Sequence, residues 1–213
     1  MFKNRNHAGK ILAEKLRAEA NFKPQKTIIA SLPRGGVVIG AVLSALLDLP
    51  HQALVVKKIT LPAHPELAIG AVGESSQSLI LNQALINQLK ADSGEIKKAI
   101  KKAQNQIMEI KGRLKISESI NWKGKIIIIA DDGAATGATI LSAIKEARDL
   151  GANQIIVALP VAPPETTTQL KKEADRAVVI EQPELLFAVS QVYEDFSQVS
   201  WEEVKNLLKL NQN

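Results

Sequence analysis

The sequence predicts an α/β protein built on a doubly wound, mainly parallel five-stranded sheet with helices on both faces. Short apolar runs alternate with helical patterns along most of the 213 residues, and this alternation is typical of a parallel sheet. The run at 125–130 holds four consecutive isoleucines, which indicates a strand buried on both faces. Because crossovers between parallel strands are right-handed and connections are short, we expect a doubly wound order. If that order is 2-1-3-4-5, the winding reverses between the strands over 27–32 and 125–130.

The first half of the chain opens with an amphipathic pattern and continues with apolar runs broken by proline and glycine. Apolar residues recur every three or four positions in 6–20, as on one face of a helix. The segment 35–47 is apolar nearly all round, which indicates a buried helix. The predicted elements are a helix over 6–20, a strand over 27–32, a helix over 35–47, a strand over 53–56, a loop over 58–66, a hairpin of 67–72 with 78–81, and a helix over 92–116.

The second half alternates strands and helices more regularly. Ser200 and Glu203 have the spacing of a capping box, so a last helix is predicted from there to Leu210. Gly151 is expected to end the helix that precedes it. The remaining predicted elements are strands over 125–130, 154–159 and 177–180 and helices over 136–150 and 164–174.

The predicted helix over 92–116 has a lysine-rich face opposite its apolar face. Its lysines recur within two turns and are Lys97, Lys98, Lys101 and Lys102. A run of like charges on a helix is usually a solvated face, and that is our interpretation. An anion-facing surface is the alternative.

Composition excludes several classes of function. The chain has no cysteine, so disulfides and a cysteine nucleophile are excluded, and three scattered histidines do not indicate a metal cluster. The net charge is only +5 and aromatic residues make up 3%, too few for a stacking platform, so we expect no nucleic acid partner. No apolar stretch approaches the ~20 residues of a membrane span. We therefore expect a single cytoplasmic domain over 1–213 that binds no membrane.

Two loops are expected to face each other at the point where the winding of the sheet reverses. Ligands of such sheets bind beyond the carboxyl ends of the strands at that point. The arginine loop, residues 32–36, follows the first strand with the sequence LPRGG. The acid loop, residues 131–139, follows the isoleucine strand with the sequence DDGAATGAT.

The acid loop has the composition of a phosphate cradle with two carboxylates added. Small residues let main-chain N–H groups approach an anion closely, and the following helix adds the positive end of its dipole. These residues are Gly133, Ala134, Ala135, Gly137 and Ala138, with hydroxyl donors on Thr136 and Thr139. Asp131 and Asp132 suit ligand hydroxyls or a divalent metal, so a phosphorylated sugar with a cis-diol fits both halves. A helix N-cap with two acids favoured by the dipole is the open alternative.

The acid loop closely resembles the phosphoribosyl-pyrophosphate loop of the type I phosphoribosyltransferases. That motif is a hydrophobic strand, two acids, a small stretch and then Thr-Gly-x-Thr. The resemblance continues through LPRGG at 32–36, VVKKITLPAHPELAIGAVGE at 55–74, ALPVAPP at 158–164 and VYEDFSQVS at 192–200. It therefore covers nearly the whole chain and is similar to a subgroup of stand-alone family members named mainly by their fold.

The resemblance implies a role for each matching residue. Asp131 and Asp132 match the acids that bind the ribose hydroxyls and, through these hydroxyls or water, magnesium. The 5′-phosphate cradle is matched by Ala134, Ala135, Thr136, Gly137, Ala138 and Thr139. Arg34, Gly35 and Gly36 match the pyrophosphate loop, in which a peptide bond is often cis. Lys57 and Lys58 stand where the family often places a basic residue against pyrophosphate, and alternation along a strand lets only one of them face the site.

The resemblance also implies the reaction. The substrate is 5-phosphoribosyl 1-diphosphate, the cofactor is Mg2+, and the acceptor is a small nitrogenous molecule. The residues implied in catalysis are Asp131, Asp132, Arg34 and Lys58. Negative charge builds on the leaving diphosphate, and the cations Arg34 and Lys58 would stabilise it. Ala135 stands where purine-salvage members have an acid, which argues against hypoxanthine, guanine or xanthine as the acceptor. Pyrimidine-type members also have a small residue there.

Other positions carry weaker expectations. Ile59 and Thr60 stand where Leu-Gly is usual, and Trp201 stands where an acid is usual. A hood over the acceptor is expected from 59–120 and 182–213. Two other functions stay open: a regulatory protein of the same fold that binds the diphosphate or a nucleotide without turnover, and a hydrolase of a phosphorylated sugar. The sequence also leaves open whether the chain forms a homo-oligomer.

Overall fold

The computed structural model describes residues 1–19, 22–115 and 121–209. The helices are α1 (Arg5–Glu19), α2 (Gly35–Leu47), α3 (Gln83–Leu89), α4 (Ser93–Leu114), α5 (Ala138–Asp149), α6 (Pro164–Glu173) and α7 (Trp201–Lys209). The strands are β1 (Thr27–Ser31), β2 (His51–Ala53), β3 (Lys57–Leu61), β4 (His64–Val72), β5 (Ile80–Leu81), β6 (Ile126–Ala130), β7 (Gln154–Val161) and β8 (Arg176–Glu181). The predicted helix ends at residues 20, 116 and 210 lie outside the described residues.

The main sheet has five parallel strands in the order β2-β1-β6-β7-β8, which confirms the predicted doubly wound sheet and is the order 2-1-3-4-5. Its central strand is the isoleucine run. Ile127 and Ile129 pack in the cluster that includes α5, whereas Ile128 packs on the opposite face against residues of α1 and α2. All three isoleucines are fully buried, so the strand is covered on both faces as its β-branched run predicts.

One strand of this sheet begins earlier than the sequence predicts. The structure has β2 at His51–Ala53, not at 53–56. His51 looks like a polar residue outside a strand, but its ring Nε2 lies 2.6 Å from Ser31 Oγ on β1, and both side chains are buried. This hydrogen bond satisfies the imidazole inside the sheet and allows the strand to begin with it.

A second sheet of three antiparallel strands, in the order β3-β4-β5, stands apart from the main sheet. The predicted loop over 58–66 is wrong, because most of it forms β3 and the start of β4. Ile59 and Leu61 are buried and alternate with less buried neighbours, as in a strand with one covered face. Pro62 lies in the turn and Pro65 near the start of β4, where the missing N–H groups are tolerated. The predicted hairpin partner is confirmed as β5.

Helix α4 covers the second sheet through Ala99, Ala103 and Ile107, which are buried with Ile59 and Ile69. Asp92 caps the helix: its side chain accepts from two main-chain N–H groups in the first turn, and Glu95 completes a capping box. These elements supply much of the material predicted for a hood, but a hood that acts on an acceptor stays a prediction. No helix in the described ranges is long and apolar enough to cross a membrane, and the cytoplasmic location stays a prediction.

Candidate active site

The acid loop leaves β6 at Ala130 and leads directly into α5. It is fixed by two hydrogen bonds from its neighbours: Ala134 N donates to Val161 O at 2.9 Å, and Thr166 Oγ1 donates to Ala135 O at 2.8 Å. Gly137, the residue before α5, has φ +71°, a left-handed conformation that favours glycine. A Cβ there would also lie 2.9 Å from the Thr166 methyl carbon. The loop is therefore a rigid main-chain structure.

Asp131 and Asp132 lie side by side at the start of this loop and are largely enclosed by protein. Asp132 N donates to Asp131 Oδ1 at 2.9 Å. Burial, together with the neighbouring Asp132 charge, raises the pKa of Asp131 well above its usual range. Burial also raises the pKa of Asp132, while a hydrogen bond from Arg5 opposes that rise. The pair is an acidic centre at the end of the central strands.

Arg5, at the first position of α1, is the cation that sequence reasoning missed. Its Nε donates to Asp132 Oδ2 at 2.7 Å, and only 11% and 15% of the two side chains are exposed. Its Nη1 donates to Ser197 O at 2.9 Å, and its guanidinium carbon lies 3.7 Å from the centre of the Phe196 ring. No local signal marks this arginine, because its acid partner is 127 residues away.

Tyr193 holds the main chain of Asp132. Its hydroxyl donates to Asp132 O at 2.7 Å, and its ring packs against Phe2 and Phe196. Tyr193 is buried, so its ring packs inside the protein and offers no face to a base. Burial raises the pKa of the Tyr193 hydroxyl, and the Asp132 charge adds to the rise.

The arginine loop lies directly against the acid loop. Leu32 N donates to Ala130 O at 3.0 Å, and the peptide bond between Pro33 and Arg34 is cis. A Cβ at Gly35 would lie 1.8 Å from Asp132 Oδ2, and one at Gly36 would lie 2.7 Å from Asp131 Oδ1. Only glycine fits at these positions, since any side chain would displace the two carboxylates. The structure therefore brings the two predicted loops into contact.

Arg34 is held by the segment that leads into α7. With its side-chain oxygen towards the guanidinium, Gln198 accepts a hydrogen bond of 3.2 Å from Arg34 Nη1. The Trp201 ring centre lies 5.6 Å from the Arg34 guanidinium carbon and equally far from that of Arg113. Trp201, which stands where an acid is usual in the family, is thus a support for the arginine of the loop.

A cavity of about 420 Å³ separates the two loops from the second sheet, and its lining is mostly polar and charged. The residues that border it are Leu32, Pro33, Arg34, Gly35, Val56, Lys57, Lys58, Thr60, Gln106, Asp131, Asp132 and Thr139. Both lysines border it, and which of them faces a bound ligand stays a prediction. Burial, and then the Arg34 charge, lowers the pKa of Lys57.

A second cavity of about 390 Å³ lies along the acid loop. It is lined by Lys58, Asp131, Asp132, Gly133, Ala134, Ala135, Thr136, Gly137, Thr139, Ile140, Phe187, Ala188, Val189 and Phe196. Phe187 is 82% exposed at its border, and nothing in the sequence predicts a role for it there. Gln191 Oε1 holds this segment by accepting from Phe187 N at 2.8 Å and from Ala188 N at 2.9 Å.

The two cavities bring together all the predicted site residues except Gly36 and Ala138. Gly36 lies behind the cavity against Asp131, and Ala138 begins α5. His64 and Glu66 lie elsewhere, on the exposed part of β4, with His64 Nδ1 3.9 Å from Glu66 Oε1.

Metal ligands of the histidine, cysteine and carboxylate type do not cluster in threes within residues 1–19, 22–115 and 121–209. The acid pair is the one feature of the cavities that suits a hard divalent cation. Magnesium binds to proteins through one or two carboxylates, with substrate phosphates and water completing its octahedron. The two carboxylates therefore fit a magnesium ion that takes its other ligands from phosphate oxygens and water.

The fold and the two loops define the class of protein. A parallel sheet in this order, with helices on both faces, is the fold of the type I phosphoribosyltransferases. Residues 3–196 match the family described as the phosphoribosyl transferase domain, and the chain belongs to that family.

Individual relatives agree with this assignment. The chain is 34% identical over 208 residues to the Mycobacterium tuberculosis protein named "Putative phosphoribosyl transferase Rv0571c". The match covers 96% of the chain and 45% of that relative, so the chain spans about half the length of the curated relatives it matches.

Solved structures show the same fold. The protein TT1426 from Thermus thermophilus is 30% identical, with a TM-score of 0.80 over 100% of this chain and 99% of that one. The purine phosphoribosyltransferase from Pyrococcus horikoshii is 21% identical, with a TM-score of 0.50 over 92% of each chain, and shares the fold.

Proposed function

We propose that the protein transfers the phosphoribosyl group of 5-phosphoribosyl 1-diphosphate to a nitrogen of a small acceptor and releases diphosphate. The observation that carries the proposal is the contact between the two loops. The acid pair, to which we assign the ribose diol, lies against the glycines of the arginine loop, to which we assign the diphosphate. Both groups border one cavity.

The acid loop would bind the sugar phosphate. The main-chain N–H groups from Ala135 to Thr139 lie at the start of α5, where the helix dipole favours an anion, whereas Ala134 N already donates to Val161 O. Asp131 and Asp132 would accept hydrogen bonds from the 2′ and 3′ hydroxyls of the ribose. These contacts fix the sugar at both ends, so its C1′ atom is held in one place for attack.

Cations on the other side of the cavity would stabilise the leaving group. The bond between C1′ and the diphosphate oxygen breaks, and its electron pair goes to the diphosphate. The acceptor nitrogen forms the new bond to C1′, and its proton passes to the departing diphosphate or to water. Arg34, Lys57 and Lys58 line the cavity where that negative charge builds. Burial and then the Arg34 charge lower the pKa of Lys57, and an anion between Arg34 and Lys57 would offset the second of these causes.

Magnesium belongs to the proposal as the cofactor. Asp131 and Asp132 would hold it through the ribose hydroxyls or water. When bound with the sugar diphosphate, it supplies positive charge beside the leaving oxygens. Arg34 and the two lysines orient the diphosphate, and the two loops limit the access of water.

The acceptor would enter from the cavity along the acid loop. Phe187 offers an exposed aromatic face at its border, and Ala188 and Val189 add an apolar surface beside it. A planar heterocycle fits such a wall because aromatic faces stack on it. Ala135 gives no acid or base at the wall, so the acceptor needs no proton transfer from that position.

A second candidate is a regulatory protein that binds the sugar diphosphate without turnover. The Arg5–Asp132 ion pair favours it, because one oxygen of Asp132 is already taken by the protein itself. In this case the fold is kept for binding, and the cavity for an acceptor has no chemical role.

Release of diphosphate with a panel of nitrogenous bases tests the transferase proposal. The purified protein is incubated with 5-phosphoribosyl 1-diphosphate, Mg2+ and each base, and diphosphate is measured over time. The Asp131→Asn/Asp132→Asn variant is the control. Release that needs one base and is lost in the variant supports the transferase. Tight binding without release across the panel supports the regulator, and equal release with water alone indicates a hydrolase.

A further inference from the structure

A basic groove on α4 takes no part in the proposed reaction. It is a cavity of about 460 Å³ bordered by Lys98, Lys101, Lys102, Asn105, Gln106 and Glu109. These residues recur at three- and four-residue intervals, so they share one side of the helix. The groove therefore follows the axis of α4 over about three turns.

The orientation of this side is fixed by the packing of the opposite side. Ala99, Ala103 and Ile107 are buried against the second sheet, and α4 cannot rotate without exposing them. The three lysines are exposed as a consequence. The spacing of the apolar residues therefore places the three lysines on the side of α4 that borders the groove.

The groove carries an excess of positive charge. Within the described part of the chain, Lys98, Lys101 and Lys102 form no ion pair. The nearby acids have other partners, since Glu95 accepts from Asp92 N in the capping box and Glu74 pairs with Lys111. Glu109 is the one acid that borders the groove, so three ammonium groups face a single carboxylate.

The groove and the cavity between the two loops adjoin at one residue. Gln106 borders both of them. The cavity is also bordered by Lys57, Lys58 and Arg34, and Lys98 of the groove lies about 12 Å back along α4 from Gln106 by the helical rise. Six cationic side chains thus border two adjoining cavities, one of which is where the diphosphate is proposed to bind.

We infer that the basic groove binds the outer phosphates of a linear polyphosphate chain longer than diphosphate, with the inner phosphates in the cavity beside Arg34. This inference rests on the proposed function, which assigns that cavity to the diphosphate. Free polyphosphate and the triphosphate of a nucleotide share this chemistry. No aromatic side chain borders the groove, so it lacks the stacking faces that single-stranded nucleic acid requires.

Calorimetric titration with inorganic tripolyphosphate and with diphosphate tests the inference, in buffer without magnesium. The test variant is Lys98→Gln/Lys101→Gln/Lys102→Gln. The matched control, Lys145→Gln/Lys171→Gln/Lys172→Gln, removes the same charge from exposed lysines of α5 and α6. We expect the unchanged protein to bind tripolyphosphate about tenfold more tightly than diphosphate. The test variant should lose this preference and keep its diphosphate affinity, and the control should keep both.

Each alternative outcome has a definite meaning. Equal affinity for the two anions in the unchanged protein, with 5-phosphoribosyl 1-diphosphate still bound, overturns the groove and leaves the proposed function standing. Failure of diphosphate and of the sugar diphosphate to bind overturns both. An adenosine triphosphate arm separates the sources: affinity equal to tripolyphosphate supports a nucleotide, and weaker affinity supports free polyphosphate. Tighter binding of a single-stranded oligoribonucleotide that depends on the three lysines overturns the inference in favour of nucleic acid.

Discussion

The acid loop and the arginine loop leave neighbouring strands of one sheet, yet they are held in different ways. The acid loop is fixed by the next elements along the chain, through Val161 O and the Thr166 hydroxyl, and it works with its main chain. The arginine loop works with a side chain, and Gln198 and Trp201 hold that side chain from the far end of the sequence. The acid loop therefore depends on main-chain geometry set by the elements that follow it, whereas the arginine loop depends on packing against a distant part of the chain.

The largest expected effect is on stability and concerns His51 on β2, the strand that pairs with β1. Burial lowers the pKa of His51 to about 4, from 6.5 in an unfolded chain. As the pH falls below 6.5 the unfolded chain takes up a proton that the folded protein does not, so stability present above pH 6.5 is lost towards pH 4. The loss amounts to about 3 kcal/mol over this range. Urea unfolding at several pH values should show it.

Two variants isolate this histidine from other titrating groups. His51→Gln keeps a polar group for Ser31 but removes the titration, so its stability should fall less steeply with pH than that of the unchanged protein. His64→Gln makes the same substitution at an exposed position and is the matched control. Parallel curves for the His51 variant and the unchanged protein would contradict the burial of a neutral imidazole at this position.

The second effect tests the main-chain half of the comparison. Gly137→Ala places a Cβ at φ +71° and 2.9 Å from the Thr166 methyl carbon. Gly124→Ala is the matched control, with φ +75° and no heavy atom within 4 Å of the new Cβ. We expect the control to lose about 1 kcal/mol of stability from the backbone alone and the Gly137 variant about 2 kcal/mol. Only the Gly137 variant should also bind 5-phosphoribosyl 1-diphosphate more weakly in a titration.

The smallest effect tests Arg5, the cation that pairs with Asp132 of the acid loop. Arg5→Gln removes the partner of Asp132, so the carboxylate loses a charge-assisted hydrogen bond and is less firmly directed into the site. Affinity for 5-phosphoribosyl 1-diphosphate should fall about threefold. Arg5→Lys keeps the charge and should restore part of it. Tighter binding after Arg5→Gln would show instead that Arg5 competes with the sugar for Asp132.

The contrast between the loops also explains what the sequence could predict. The acid loop is one contiguous segment, and local physical reasons explain its glycines, threonines and paired acids. Its place in the fold and its ligand chemistry could therefore be predicted from the sequence together. The strand order followed from the alternation of elements and the isoleucine run. Arg5, Gln106 and Phe187 were not readable, because each contributes through residues distant in the chain.

The wrong predictions have equally local causes. Two prolines made 58–66 look like a loop, although Pro62 occupies the turn and Pro65 an early position in β4 that tolerates it. His51 looked too polar for a strand because its buried partner, Ser31, lies on another strand. In both cases the pattern of the segment was interpreted without the tertiary contact that changes its meaning.

Titration of 5-phosphoribosyl 1-diphosphate with Mg2+ into the unchanged protein and into Asp131→Asn/Asp132→Asn tests the central claim most directly. The asparagines keep the shape of the side chains and remove the charges that would accept hydrogen bonds from the ribose diol. We predict an affinity at least about tenfold weaker in the variant, about 1.4 kcal/mol of binding free energy. The same affinity in both proteins, with circular dichroism showing that the variant is folded, would contradict this claim.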